Sequence, residues 1–464
     1  MLPVVLPEND VLRFHNSSTE VVPQTTPVNV GRQGRELGRY GEVNHNRRCE
    51  RPLCVESPSV PSHVDRLREV FSHARNRKID ACSSDRSGAS AVPRTRPGAL
   101  EPRQVRGGGR RIQVLGVLEH RTVAIDESGR PSALQYCASM LPIIDVSELD
   151  TAPGLVKLRE VTHEVGFFYL TGHSVPVDLI DDIRAVARRF FALSDESKRA
   201  ISMIESPHFR GYNSVGGELT NGHVDWREQI DIAPEREAIA GAHGPMRLQG
   251  PNQWPAEIPE FKPVVLEFRS KMFEIGLALM RKWALALGGD SSAVDEAFAV
   301  APEALLKLIK YPPQQATDGD DGQGVGAHKD PGVLTMLLLE PGTSGLQAED
   351  ISGAWIDVPP MADAFVVNIG ELLEVATGGY LRATRHRVIK SADFRERLSI
   401  PYFFGPALDM PMPMFELSPE LAAQSRGVAQ DPDNLIFSTY GANLWKARAR
   451  AHPDVYERWH TGTG

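Results

Sequence analysis

Gly326-Ala327-His328-Lys329-Asp330-Pro331-Gly332, followed by Val333-Leu334-Thr335-Met336-Leu337-Leu338-Leu339, is the stretch that decides the fold. The run after Gly332 is short and apolar, with Pro331-Gly332 before it and Pro341-Gly342 after it, which reads as a buried strand ended by turns. His328 and Asp330 stand just ahead of that strand. In extended backbone, residues i and i+2 project to one face, so an imidazole and a carboxylate are expected to share one space. A two-histidine, one-carboxylate iron site needs two of its ligands arranged in that way. The triplet alone decides little, because His63-Val-Asp65, His223-Val-Asp225 and His452-Pro-Asp454 have the same spacing. Only His328 opens an apolar strand.

The third ligand has to come from another strand. His386, in Arg382-Ala383-Thr384-Arg385-His386-Arg387-Val388-Ile389, leads into one. Downstream, Arg397 and Ser399 are again spaced i, i+2, in Arg397-Leu398-Ser399-Ile400-Pro401-Tyr402-Phe403-Phe404, and are expected on one face. A guanidinium grips a carboxylate through two parallel hydrogen bonds, and a neighbouring hydroxyl adds another. Each residue has a plain reading when taken singly: a histidine before a strand is commonly structural or exposed. Three ligands followed by a carboxylate clamp form a far more specific pattern than any one member.

Around this stretch the second half of the chain reads as strands over 305–311, 335–339, 355–358, 364–369, 387–390 and 398–404. Short strands at such spacing suggest a sandwich or barrel. Before them, Phe261, Val264, Val265, Phe268, Met272, Ile275, Leu279 and Trp283 form the apolar stripe of a long helix, ended by Gly288-Gly289. Further upstream, 141–146 and 166–170 read as strands, and 155–165 and the segment after Val175-Pro176 as helices. Ser194-Asp195-Glu196 resembles a helix start. Residues 206–226, rich in Gly, Asn and Ser, read as a long surface loop of the kind that covers a site.

Residues 1–139 have another texture. They carry 21 Lys and Arg against 15 Asp and Glu, whereas the rest carries 30 against 45, within a net charge of -9 over 464 residues. Arginine, proline, serine and glycine dominate, and periodicity is absent, which predicts a disordered extension. An arginine-rich arm for RNA or another acidic partner is the sharper reading and a solvated tail the plainer one. A natural start near Met140, where Leu141-Pro-Ile-Ile-Asp145 opens a strand, is a further alternative. Cys49, Cys54, Cys82 and Cys137 all lie in this stretch, and the pair Cys49 and Cys54 has no matching second pair at zinc-site spacing. The acidic balance argues against nucleic acid as the main partner, and no apolar run is long enough to span a bilayer. A cytoplasmic protein with no membrane attachment is the expectation.

The segment from about 140 to 450 resembles the iron(II)- and 2-oxoglutarate-dependent dioxygenases of the isopenicillin N synthase-like family. Besides the residues above, Gly166-Phe-Phe168, Gly172-His173, Arg210-Gly-Tyr212, Lys310-Tyr-Pro312, Gly345-Leu-Gln347 and Asn368-Ile-Gly370 carry the likeness. It implies a mainly β fold with flanking helices (α+β), built on a double-stranded β-helix, the cupin-like jelly roll. The domains would be an extension over 1–139, an N-terminal region over 140–255, a catalytic domain over 256–450 with the long helix, and a C-terminal tail over 451–464. The resemblance implies that His328, Asp330 and His386 bind Fe(2+), and that Arg397, Ser399 and Tyr311 hold the distal carboxylate of 2-oxoglutarate. O2 would be the second co-substrate, with ascorbate helpful. Oxidative decarboxylation to succinate would then drive hydroxylation or another oxidation of a small molecule. Arg210, Tyr212 and Phe403 are candidates for the substrate side, against the plainer readings of an exposed loop and barrel packing. An iron oxidase that dispenses with 2-oxoglutarate, and a non-catalytic metal-binding protein, are the alternatives.

Overall fold

The structure, a computed structural model, describes residues 141–313, 323–389, 395–428 and 434–461, and the backbone of three short upstream strands. Those strands, β1 (Gln113–Leu118), β2 (Arg121–Ile125) and β3 (Gln135–Tyr136), pair antiparallel in that order, in a stretch read above as lacking periodicity. Otherwise the expectation of a disordered extension lies outside the described residues.

The first elements follow the sequence closely. Strand β4 (Ile143–Asp145) leads to helix α1 (Ala152–Glu164), whose first turn is capped by the Thr151 hydroxyl accepting from Gly154 N. Strand β5 (Phe167–Thr171) runs parallel to β4. In α2 (Val177–Phe191), Leu179, Ile180, Ile183, Val186, Ala187, Phe190 and Phe191 are all buried, as their helical spacing requires. Ser194 caps the short α3 (Asp195–Arg199).

Residues 206–226 depart from the expected surface loop. Strand β6 (Gly211–Asn213) joins the main sheet, and β7 (Leu219–Thr220) pairs with β8 (His223–Val224) as a hairpin. The glycines that suggested a loop instead allow close packing: Gly211 sits at φ 108, where a Cβ would stand 2.3 Å from the Ile201 carbonyl oxygen.

Strand β9 (Glu228–Ile232), helix α4 (Phe261–Ala286), helix α5 (Ser292–Ala299) and strand β10 (Ala304–Tyr311) follow. Then come β11 (Gln323–His328), β12 (Leu334–Leu339), β13 (Leu346–Glu349), β14 (Trp355–Asp357) and β15 (Phe365–Ile369). Helix α6 (Glu371–Ala376), strands β16 (His386–Ile389) and β17 (Arg397–Phe404), and helices α7 (Pro419–Ala422), α8 (Tyr440–Ala451) and α9 (Pro453–His460) complete the chain. The expected C-terminal tail thus contains a packed helix: Arg458 pairs with Glu205, and Trp459 Nε1 donates to the Ile204 carbonyl at 2.8 Å.

Two sheets form the body, one in the order β4-β5-β15-β12-β17-β10-β9-β6 and one in the order β11-β16-β13-β14. Alternation along β17 sorts its residues. Leu398, Ile400, Tyr402 and Phe404 join the core shared with α4, where Gly276 lets the Phe404 ring approach. The opposite face meets the smaller sheet: Ile309, Tyr311, Leu339 and Val366 pack with Val325, Leu346 and Val388. A jelly roll results, with a second packed layer between the sheets. His328 was expected to open the apolar strand β12; it closes a strand of its own, β11. Gly324 and Gly326 concealed that strand, yet a side chain at 324 would stand 2.7 Å from Val388 Cγ1 on β16.

Candidate functional site

Register brings the two histidines together. His328, the last residue of β11, is the cross-strand partner of His386, the first residue of β16, and their ring centroids are 4.4 Å apart. Asp330 comes from the turn that joins β11 to β12. Its Oδ1 lies 3.5 Å from His328 Nε2 and 3.7 Å from His386 Nε2. One ligand atom from each of the three residues lies within 4.8 Å of the others, the one such group among the described residues. Each imidazole is fixed from behind. His328 Nδ1 is 2.7 Å from the Gly326 carbonyl and His386 Nδ1 is 3.1 Å from that of Thr384, so both Nδ1–H groups donate and both Nε2 lone pairs face the centre.

Burial opposes charge at all three residues, and the neighbours decide the balance. His386 is pushed down to about 4 by burial and by the adjacent His328. Burial would raise Asp330, but His386, His328 and Asn368 hold its carboxyl well below the usual range. Burial also opposes the His328 imidazolium, yet the Asp330 carboxylate raises that group above its ordinary value. Two neutral-capable imidazoles and one ionised carboxylate, gathered with their lone pairs converging, suit a divalent transition metal.

The residues expected to form the clamp lie on the inner face of the same body. Arg397 and Tyr311 are partners across β17 and β10, and the guanidinium carbon stands 4.3 Å from the Tyr311 ring centroid. Arg397 is buried, and its Nη2 has no hydrogen-bond partner among the described residues. Leaving a buried guanidinium nitrogen unpaired is costly, so the arrangement fits an incoming carboxylate. Ser399 follows two residues on, on the same face, opposite Ile309 and Leu339. Phe403 continues that face as the partner of Thr335, and the Phe167 ring stands 5.5 Å from the His386 ring.

Arg210 and Tyr212 are placed differently from this group. Arg210 is buried, with its guanidinium held by the carbonyls of His208 and Leu248 and by Glu303. The Tyr212 hydroxyl donates to Glu228, which also receives Lys198. No contact among the described residues brings either of them to the three ligands. The loop reading suggested exposure or a place facing the substrate, whereas two carbonyls and a carboxylate hold the Arg210 Nη atoms inside.

Sequence reading gave no role to Thr335 and Asn368, which meet the outer oxygen of Asp330, or to Arg227. Arg227 Nη2 lies 2.9 Å from Glu218 and 3.0 Å from Asp225. From Glu218 the pairing runs on to Lys307 at 2.7 Å, then through Asp231 to Arg448 on α8. Asp225 also receives Thr220 and Gln323, and Asn221 Nδ2 donates to the Ala327 carbonyl. The β7–β8 hairpin is thereby pinned beside His328.

Two family models match, one described as the N-terminal part of the non-haem dioxygenases in morphine synthesis, over 141–257, and one as the 2OG-Fe(II) oxygenase superfamily, over 302–406. The 2-oxoglutarate-dependent dioxygenase frbJ of a Dothideomycetidae species is 35% identical over 340 residues, spanning 69% of this chain and 91% of that protein. The chain belongs to the iron(II)- and 2-oxoglutarate-dependent dioxygenases. This dioxygenase is also 36% identical to a homoarginine-6-hydroxylase of Glycine max, over 58% of its own length and 87% of the relative's. Among solved structures, a full-length Neurospora crassa protein in complex with alpha-KG superposes with a TM-score of 0.56 at 23% identity. That match covers 68% of this chain and 98% of the other, and shows the shared fold. JOX2, solved with 2OG, Fe and JA, matches at 25% identity and a TM-score of 0.54, over 71% and 91% of the two chains. The dioxygenase is therefore an oxidoreductase that uses Fe(II) and 2-oxoglutarate to oxidise a small molecule. No helix among the described residues is long and apolar enough to cross a membrane.

Proposed function

We propose that His328 Nε2, Asp330 Oδ1 and His386 Nε2 hold the Fe(II), and that Arg397, Ser399 and Tyr311 hold the distal carboxylate of 2-oxoglutarate. The observation that carries the reading is Arg397 Nη2, without a partner among the described residues and buried against Tyr311, which packs with the strands that carry both histidines. Bound Fe(II) supplies the oxidising chemistry with O2, and 2-oxoglutarate leaves as succinate and carbon dioxide. The chain's own residues do the rest. The guanidinium and the Ser399 hydroxyl fix one end of the co-substrate, which orients its keto acid end. Carbonyl contacts behind the imidazoles fix their tautomers. Phe167 and Phe403 exclude water, and Phe403 meets the substrate.

Hydroxylation is the proposed outcome. Four relatives named homoarginine-6-hydroxylases make homoarginine, and other small molecules with a guanidino group, the first compounds to assay. The purified protein with Fe(II), ascorbate and 2-oxoglutarate under oxygen should form succinate, faster when the substrate is present. Under anaerobic conditions, adding 2-oxoglutarate to the iron-loaded protein should change its visible absorption. The absence of both succinate and a spectral change would sink the reading.

A further inference from the structure

The two carboxylate oxygens of Asp330 have unlike surroundings. Oδ1 faces the two imidazole Nε2 atoms. Oδ2 accepts from the Thr335 hydroxyl and, at 2.8 Å, from Asn368 Nδ2. Thr335 on β12 and Asn368 on β15 are cross-strand partners, so their side chains project together from the sheet. Both are buried, 4% and 2% exposed, where an unmet hydrogen-bonding group is costly. The backbone is held by the same segment. Gly370 N donates to the Val333 carbonyl, Glu371 N to that of Asp330 at 2.8 Å, and Leu372 N to that of Gly332. At position 370 a Cβ would stand 2.2 Å from the Gly332 oxygen, so only glycine lets the chain approach so closely.

A carboxylate with both oxygens free can bind a metal through either one or through both. Two donors on Oδ2 remove that choice and also stop rotation about the Cβ–Cγ bond. We propose that Thr335 and Asn368 are positioning residues that make Asp330 a one-oxygen ligand, through Oδ1, before any metal arrives. Binding through both oxygens would take up a coordination position that the co-substrates need. This inference rests on reading Asp330 as a ligand.

The test uses the metal-free, full-length protein and needs no turnover. Co(II) is titrated in by calorimetry while its visible absorption is followed. Asn368→Ala and Thr335→Val are each expected to weaken Co(II) binding by about ten- to a hundredfold. Both should alter the spectrum as Asp330 shifts its binding mode, while Thr335→Ser keeps wild-type affinity and spectrum. Wild-type affinity and spectrum in both Asn368→Ala and Thr335→Val would overturn the proposal. Should Asn368→Ala fail to fold, Thr335→Val against Thr335→Ser decides alone, since valine matches threonine in shape and lacks only the hydroxyl. Asp330→Ala separates the two levels of inference: undiminished Co(II) binding there would overturn the metal reading itself, and the positioning role with it.

Discussion

Arg397 carries a full charge in an interior where charges are expensive, and only an aromatic ring and partial pairing offset the cost. A lysine in its place keeps the charge but loses the planar fork that matches a carboxylate. Arg397→Lys is therefore expected to raise the KM for 2-oxoglutarate by about tenfold or more, with kcat changed less. An unchanged KM would remove Arg397 from the clamp. For the ligands, His386→Ala should abolish iron-dependent activity, whereas His223→Ala, at an exposed position, should keep most of it. Equal loss in both would undo the assignment. His452 gives a prediction about pH. Burial, with Arg448 close by, pushes its imidazole down to about 4, against an ordinary value of 6.5. Between those values the unfolded chain takes up a proton that the folded chain refuses, so stability falls as the pH drops through that window. His452→Gln should flatten part of that fall, read from urea midpoints of the metal-free protein at several pH values.

Elements were legible wherever one period ruled them. The stripes of α2 and α4 and the apolar runs of β10, β12, β15 and β17 were all visible, because burying one face imposes its spacing on the sequence. Strand β11 was hidden, since its glycines serve close packing against β16 and resemble loop residues. The pairing of β11 with β16 was equally hidden, because register is a long-range property that no local pattern announces. His328, Asp330 and His386 could thus be put forward as ligands from the sequence by type and spacing, while the register that gathers them could not. Residues 206–226 misled for a related reason: the polar side chains that suggested solvent are satisfied by one another inside. Asp225 accepts from Thr220, Gln323 and Arg227, and is fully buried. Asp225→Ala leaves Arg227 short of a counter-charge, and is expected to cost about 3–5 kcal/mol in a urea titration. It should also open residues 214–226 to limited proteolysis; an unchanged cleavage pattern would mean that the hairpin is held by other contacts.

At the scale of the molecule, two sheets and their flanking helices supply every group of the site from residues after Met140. The residues before it are proposed to be dispensable for that site. A chain beginning at residue 140 should fold, bind Co(II) and form succinate as the full chain does. An insoluble product would make the upstream segment part of the core. The opposite end is another matter. Arg448 on α8 reaches Asp231, and from there charges of alternating sign run through Lys307, Glu218 and Arg227 to Asp225, which Gln323 ties to the strand bearing His328. A premature stop that spared every proposed ligand would still strip one counter-ion from this buried row and leave Asp231 with Lys307 alone. Harm to the iron centre would then begin at a helix that never touches it.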